Sequence, residues 1–318
     1  MSAPMVSVVM PVFNGERYLQ EALDSVLGQT WTDLELVVVD DGSTDGTAEI
    51  LRRQSDDRVR VLSQRNTGIA GALNAGIKAA RGRYVARMDA DDRSLPDRLS
   101  RQLGRLELEP DLALLGASFY SISDDGHRLD LVPTLLADEE LRRDLFVRCP
   151  FGHGTVVARR QVLLEVGGYD ARAVPAEDYD LWSRVMAAHR VANLPEALYE
   201  YRVHPGNTPK SRGQLAAEAV RDRVWQTALL EPPSPPQVVS DVRRYLSTGD
   251  LGRSLASAYV RQHLSLLREC ARRGRWSAVL RLAPVLLLCP LVVVPGLGRV
   301  MRRQLTPIVR KMAANRAR

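Results

Sequence analysis

The sequence predicts an α/β protein whose mostly parallel sheet carries helices on both faces, followed by a helical C-terminal region. Three observations lead there. Short apolar runs alternate with helically spaced stretches over residues 1–92. These runs are nearly continuous in β-branched residues rather than alternating with polar ones, as in parallel strands covered on both sides. A proline-rich break, Pro232-Pro233-Ser234-Pro235-Pro236, then precedes a basic tail with amphipathic spacing.

The first run, Val6–Met10, reads as a buried strand, and Leu19, Leu23, Val26 and Leu27 have the spacing of one helix face. Leu36–Val39 is a second strand. Asp40-Asp41-Gly42-Ser43-Thr44-Asp45-Gly46-Thr47 supplies a turn and capping groups for a helix through Ile50 and Leu51. A third strand is Val59–Leu62, followed by a Gly- and Ala-rich helix from Ile69 to Ala80 and a fourth strand over Arg83–Met88. Beyond Asp92 the pattern is less regular. A helix begins at Leu95-Pro96-Asp97-Arg98 and reaches Glu107, Leu112–Leu115 and Thr155–Ala158 are strand candidates, and Asp124-Asp125-Gly126 is a turn. Past the proline break, helices are expected over Val238–Cys270 and Trp276–Leu282.

The chain has 318 residues, 45% of them hydrophobic and 26% charged, which excludes a disordered chain, a collagen-like repeat and a multi-span membrane protein. Its net charge of +6 is unevenly spread. Residues 240–318 hold 16 basic and 3 acidic residues, a net of +13, so the rest of the chain is acidic at −7. Cys149, Cys270 and Cys289 show no metal or disulfide spacing, which suits reduced thiols. Val6–Met10 is too short for a signal peptide and ends in Pro11, so a cytoplasmic location is expected.

In a parallel α/β sheet, ligands bind beyond the carboxyl ends of the strands. Pro11-Val12-Phe13-Asn14 follows the first strand, Asp40-Asp41 ends the second, and Asp89-Ala90-Asp91-Asp92 ends the fourth. Folding therefore gathers an aromatic ring and several carboxylates on one rim. Carboxylates so crowded need a cation or hydrogen-bond donors to offset their repulsion. A hard divalent cation that also shares phosphate oxygens suits them. Each feature has an ordinary structural use as well: Asp40 and Asp41 suit helix caps, and Phe13 suits a core.

These residues carry a resemblance. Val6–Gly15, then Val37-Val38-Val39-Asp40-Asp41-Gly42-Ser43-Thr44-Asp45, is similar to the opening of family 2 glycosyltransferases with the GT-A fold. Asn66-Thr67-Gly68, Leu73-Asn74-Ala75-Gly76 and Asp89-Ala90-Asp91-Asp92 continue the pattern in register. Gly167-Gly168-Tyr169-Asp170 and Glu177-Asp178-Tyr179-Asp180-Leu181-Trp182 resemble its acceptor-side segment, and Tyr201-Arg202-Val203-His204 its closing element.

The resemblance implies a catalytic domain over residues 1–210, divided into a nucleotide-sugar half (1–92) and an acceptor half (93–210). The region 211–318 would be helical and basic. Pro11, Phe13, Asn14, Asn66 and Gly68 would line the nucleotide pocket, and Asp41 would accept a hydrogen bond from the base. Asp89 would face the ribose. Asp91, with His204 nearby, would bind Mn²⁺ or Mg²⁺ on the donor diphosphate. Asp178 would be the general base, chosen over Asp180 by the alignment and not by spacing. Glu177, Trp182 and His153 would lie on the acceptor side. The implied reaction is metal-dependent transfer, with inversion, from a nucleotide-diphosphate sugar, UDP first, to a lipid-linked or glycan hydroxyl.

Other classes fit less well. No Gly-x-Gly-x-x-Gly follows the first strand, as a dinucleotide-binding oxidoreductase needs. A phosphoacceptor signalling domain needs a late lysine, and the only lysines are Lys78, Lys210 and Lys311. A catalytically silent protein that keeps the fold is the remaining alternative. The tail contains an uncharged run over 284–298 with three prolines, flanked by Arg281, Arg299, Arg302 and Arg303. It is too short for a membrane span and suits contact with an anionic inner membrane surface, or packing on the protein. Nucleic acid is not expected as a partner, because the tail's arginines come without interleaved aromatics or zinc-ligand spacing.

Overall fold

The computed structural model describes residues 3–207, 210–227, 241, 252–275 and 278–279. The proline run 232–236, the apolar run 284–298 and the helix expected over Trp276–Leu282, apart from two of its residues, lie outside that set.

The N-terminal half is built as β1 (Val6–Val12), α1 (Leu19–Leu27), β2 (Leu34–Asp40), α2 (Thr47–Arg52), β3 (Val59–Ser63), α3 (Gly68–Ala79) and β4 (Tyr84–Arg87). All three pairings, β1 with β2, β1 with β4 and β2 with β3, are parallel. Side chains on these strands alternate between two cores. Val6, Val8 and Met10 of β1, with Leu36 and Val38 of β2, face the core under α1 and the helix α4 (Arg98–Leu108). Val9 turns to the opposite core with Leu73 and Ile77 of α3. Continuous apolar strands result because both faces are covered.

The second half corrects the expectation of a mostly parallel sheet. It contains β5 (Arg93–Ser94), β6 (Leu112–Ile122), β7 (Arg128–Val132), α5 (Asp138–Asp144), β8 (Val157–Arg159), α6 (Arg160–Glu165), α7 (Glu177–Ala188) and β9 (Arg190–Arg202). The nine-stranded sheet runs β3-β2-β1-β4-β8-β6-β9-β5, with β7 beside β6. β6 and β9 are parallel, but β8 is antiparallel to both β4 and β6, β5 to β9, and β7 to β6. The sheet is mixed because β7 turns back to pair antiparallel with β6, and β8, reached through α5, keeps that reversed direction against β6 and β4.

The helices α8 (Lys210–Thr227) and α9 (Gly252–Arg272) follow. Val220, Val224 and Trp225 of α8, and Tyr259, Leu264, Leu267 and Cys270 of α9, join the core that α3 and α7 share. The expected helix over Val238–Cys270 is thus described from Gly252 to Arg272. Among the described residues no helix is long and apolar enough to cross a membrane.

Candidate active site

β1 extends two residues beyond the predicted strand, so Pro11 and Val12 still belong to it and the chain leaves the sheet at Phe13. A cleft of about 480 Å³ opens there, lined by Pro11, Phe13, Asn14, Asp89, Asp91 and His204, with Arg17 and Tyr18 at its side. Phe13 is 52% exposed. Asn14 has a positive φ of 53°, which its short polar side chain tolerates. Its Oδ1 accepts the Thr44 N–H at 2.8 Å, and its own N–H donates to Ser43 Oγ at 3.0 Å. Asn14 therefore both lines the cleft and locks the β1 loop to the β2 loop.

Asp41, Asn66 and Gly68 are brought together, but not into the cleft lining. Asp41 Oδ1 accepts from Gln64 Nε2 at 2.7 Å and the Thr67 N–H at 2.9 Å, and Oδ2 accepts the Gly68 N–H at 2.8 Å. Asn66 Oδ1 takes a share of the same Gly68 N–H at 3.2 Å. Asp41, expected to accept from a base, has oxygens that already serve the loop that starts α3, so a base would share one of them. An Asp at a helix N-terminus is favoured there by the orphan N–H groups and the dipole.

Asp89, Asp91 and Asp92 carry carboxylate oxygens that all lie within 4.8 Å of one another. Asp92 is 1% exposed, and its Oδ1 accepts the Arg202 N–H at 2.7 Å. Burial, then the charge of Asp91, pushes its carboxyl up. Asp89 pairs with Arg87, and its N–H donates to the Tyr199 hydroxyl at 3.1 Å. His204 Nε2 sits 3.0 Å from Asp91 Oδ2, with the Tyr18 ring 5.0 Å from its own. Three converging hard oxygen donors, with Arg87 pairing only Asp89, fit a divalent cation. Asp89 joins this cluster besides any part it has toward a ribose, and His204 is held through Asp91.

α7 begins at Glu177, so its acidic first turn lies at the positive end of the helix. Asp178 Oδ1 accepts the Tyr179 N–H at 2.6 Å, and Oδ2 accepts the Cys149 thiol at 3.5 Å. Burial raises the Asp178 carboxyl, opposed by the Tyr179 N–H, the Cys149 thiol and the charge of Arg87. Burial also raises Glu177, which is 8% exposed. Asp180 is different: it is buried and held by Arg184 at 2.6 Å and by Arg223. That pairing gives Asp180 a structural task and leaves Asp178 as the partly exposed carboxylate of the turn.

Trp182, expected on the acceptor side, is buried. It is 1% exposed and packs edge-on against Phe151, His153 and Tyr169, so it backs the His153 loop from the core. His153 remains partly exposed, and its Nε2 bonds the Tyr169 hydroxyl at 2.8 Å. Burial, and then the charge of Arg87, holds its proton affinity well below the ordinary imidazole value.

Arg87 is the residue that sequence reasoning missed. It is 6% exposed on β4, pairs with Asp89, and its charge acts on Glu177, Asp178 and His153. It thereby links the Asp89 cluster electrostatically to the acidic first turn of α7. Its signal was an arginine inside an otherwise apolar strand, Tyr84-Val85-Ala86-Arg87-Met88.

Residues 7–167 match the family described as Glycosyl transferase family 2. The amylovoran biosynthesis glycosyltransferase AmsE of Erwinia amylovora is 33% identical over 216 residues, covering 66% of this chain and 80% of that protein. The O-antigen biosynthesis glycosyltransferase WbnJ of Escherichia coli is 32% identical over 215 residues, covering 65% and 83%. Among solved structures, S. aureus TarS 1-349 in complex with UDP superposes with a TM-score of 0.58 at 20% identity, over 84% of this chain and 81% of that one. The mannosyltransferase PcManGT from Pyrobaculum calidifontis, in complex with GDP-Man and Mn²⁺, gives 0.51 at 20% identity, over 95% and 80%. Sequence and fold agree: the chain belongs to glycosyl transferase family 2 and is a glycosyltransferase with the GT-A fold.

Proposed function

We propose that the chain transfers a sugar, with inversion, from a nucleotide-diphosphate sugar to a hydroxyl of a lipid-linked or polysaccharide acceptor in surface-glycan synthesis. The observation that carries this reading is the convergence of the Asp89, Asp91 and Asp92 carboxylates in and beside a cleft that holds the exposed Phe13. Phe13 offers a face for the nucleobase, where burial of its ring would repay the exposure. Asp89, Asp91 and Asp92 would hold Mn²⁺ or Mg²⁺. When bound, that cation supplies charge to stabilise the departing diphosphate. His204 keeps Asp91 oriented through its 3.0 Å contact.

Asp178 acts as general base and takes the proton from the incoming hydroxyl. With displacement in one step, no covalent nucleophile is needed. The complexes of TarS with UDP and with UDP-GlcNAc support UDP as first choice, while PcManGT with GDP-Man keeps GDP open, and dTDP remains a candidate. The names of AmsE and WbnJ support a glycan acceptor. The +13 tail supports work at an anionic membrane surface on the cytoplasmic side, with residues 284–298 as the contact.

The test is incubation of the full chain with Mn²⁺, UDP-, dTDP- and GDP-sugars, and bacterial glycolipid extract. Nucleoside diphosphate should be released, with product of opposite anomeric configuration to the donor. Retained configuration, or no release from any donor, contradicts the reading.

A further inference from the structure

We propose that Phe119 and Tyr201 form an aromatic shelf on which a pyranose ring of the acceptor stacks; this rests on the glycosyl-transfer reading above. The two rings meet edge to face, with centroids 6.3 Å apart and planes at 74°. They come from neighbouring parallel strands: in the β6–β9 register Phe119 lies opposite Tyr199, and Ser121 opposite Tyr201. Tyr201 is 38% exposed and Val203 beyond it 48%, whereas the rest of β9's aromatic face is buried.

What surrounds the pair fixes its place. Tyr199 shares the Tyr201 face of β9 by the two-residue strand period. Its hydroxyl accepts the Asp89 N–H, and its ring is so close to Gly154 that a Cβ there would lie 2.4 Å away. Phe119 packs likewise on Gly152, where a Cβ would lie 2.9 Å from its ring. The glycines at 152 and 154 therefore let the His153 loop close onto these rings. On the other side, the Arg202 N–H binds Asp92, and the Tyr201 phenol, raised chiefly by burial, also feels Asp92 and Asp91. The shelf thus spans from the carboxylate cluster to the loop carrying His153, outside the cleft lining that holds Phe13.

A sugar matches this surface. One face of a pyranose presents C–H groups polarised by the ring oxygens, which the negative face of an aromatic ring attracts, while its hydroxyls stay at the rim for carboxylates. A nucleobase would instead use Phe13 in the cleft.

Saturation-transfer NMR on the full chain tests this, with UDP and Mn²⁺ present and octyl β-glucoside, β-galactoside, α-mannoside and N-acetyl-β-glucosaminide as probes. At least one glycoside should receive saturation on its ring C–H protons. Tyr201→Ala should weaken its binding about three- to tenfold, and Tyr201→Phe should restore it. Phe119→Leu gives a second reading at a site that keeps apolar volume. Unchanged ring saturation in Tyr201→Ala, saturation confined to the octyl chain, or none from any glycoside overturns the shelf. UDP resonances in the same tubes report on the nucleotide cleft, so failure of the donor reading is seen separately.

Discussion

The Cys149 thiol donates to Asp178 Oδ2 across 3.5 Å, on the oxygen that the Tyr179 N–H leaves free. A donor to a carboxylate favours the charged form, and the charged form is the proposed base. Asp178 has its proton affinity raised by burial, so activity should rise with pH as it ionises and then level off. Cys149→Ala removes one donor and should move that rise to higher pH. The rate on the acid limb should fall about two- to tenfold, while the plateau is nearly unchanged. A pH–rate profile of both proteins checks this.

Asp178→Asn keeps the size of the side chain and removes its basicity. Transfer should fall about 10²–10⁴-fold, with nucleotide affinity held within about twofold. The matching Asp180→Asn change should act on stability instead, because it breaks the contacts with Arg184 and Arg223. Turnover and thermal melts of the two variants separate these roles.

Arg87 is buried, pairs with the partly exposed Asp89, and its charge reaches Glu177 and Asp178. Removing the guanidinium leaves Asp89 without its charged partner at a partly wet site, so Arg87→Met should cost about 1–3 kcal/mol. The neighbouring carboxyls then repel more as they ionise. Their folded-state proton affinities rise, so the added instability should be small at low pH and grow as pH rises through their titration. Arg87→Lys should recover part of the loss. Denaturant melts across pH measure it.

Asn74 holds the main chain of Tyr169 from both sides: Nδ2 donates to its carbonyl and Oδ1 accepts its N–H, each at 2.8 Å. This ties α3, which begins at the Asp41 knot, to the segment whose Tyr169 hydroxyl meets His153. Gly168 completes the joint, with φ of 67° and room for no Cβ, which would fall 2.4 Å from Asn74 Oδ1. Gly168→Ala and Asn74→Ala should each cost about 1–3 kcal/mol. Because they break one joint, the double variant should cost less than the sum.

The N-terminal half was legible because β1 and β2 are long, rich in β-branched residues and buried on both faces, and because carboxylates follow β2 and β4 directly. The second half was not. β5 has two residues and β8 three, too few to show a period, and α5 is Asp-Glu-Glu-Leu-Arg-Arg-Asp, with a single apolar side chain to mark its face. Asp89, Asp91 and Asp178 were proposed from the motifs, whereas Asp92 joins the cluster only through the fold. The hydrogen bonds that occupy Asp41 were hidden, since they come from a loop whose approach depends on α3 packing. Trp182 lies one helical turn from Asp178, yet the phase of α7 buries it against Phe151.

The most direct measurement is the thermal stability of the full chain with UDP, with and without Mn²⁺, beside Asp91→Asn. Saturating UDP, at about a hundredfold excess over its dissociation constant, should stabilise the wild-type chain by about 2.7 kcal/mol when Mn²⁺ is present. The gain should disappear with chelator and in Asp91→Asn. An equal gain without metal, or none from UDP, dTDP or GDP under any condition, would contradict a cation-held diphosphate at Asp89, Asp91 and Asp92.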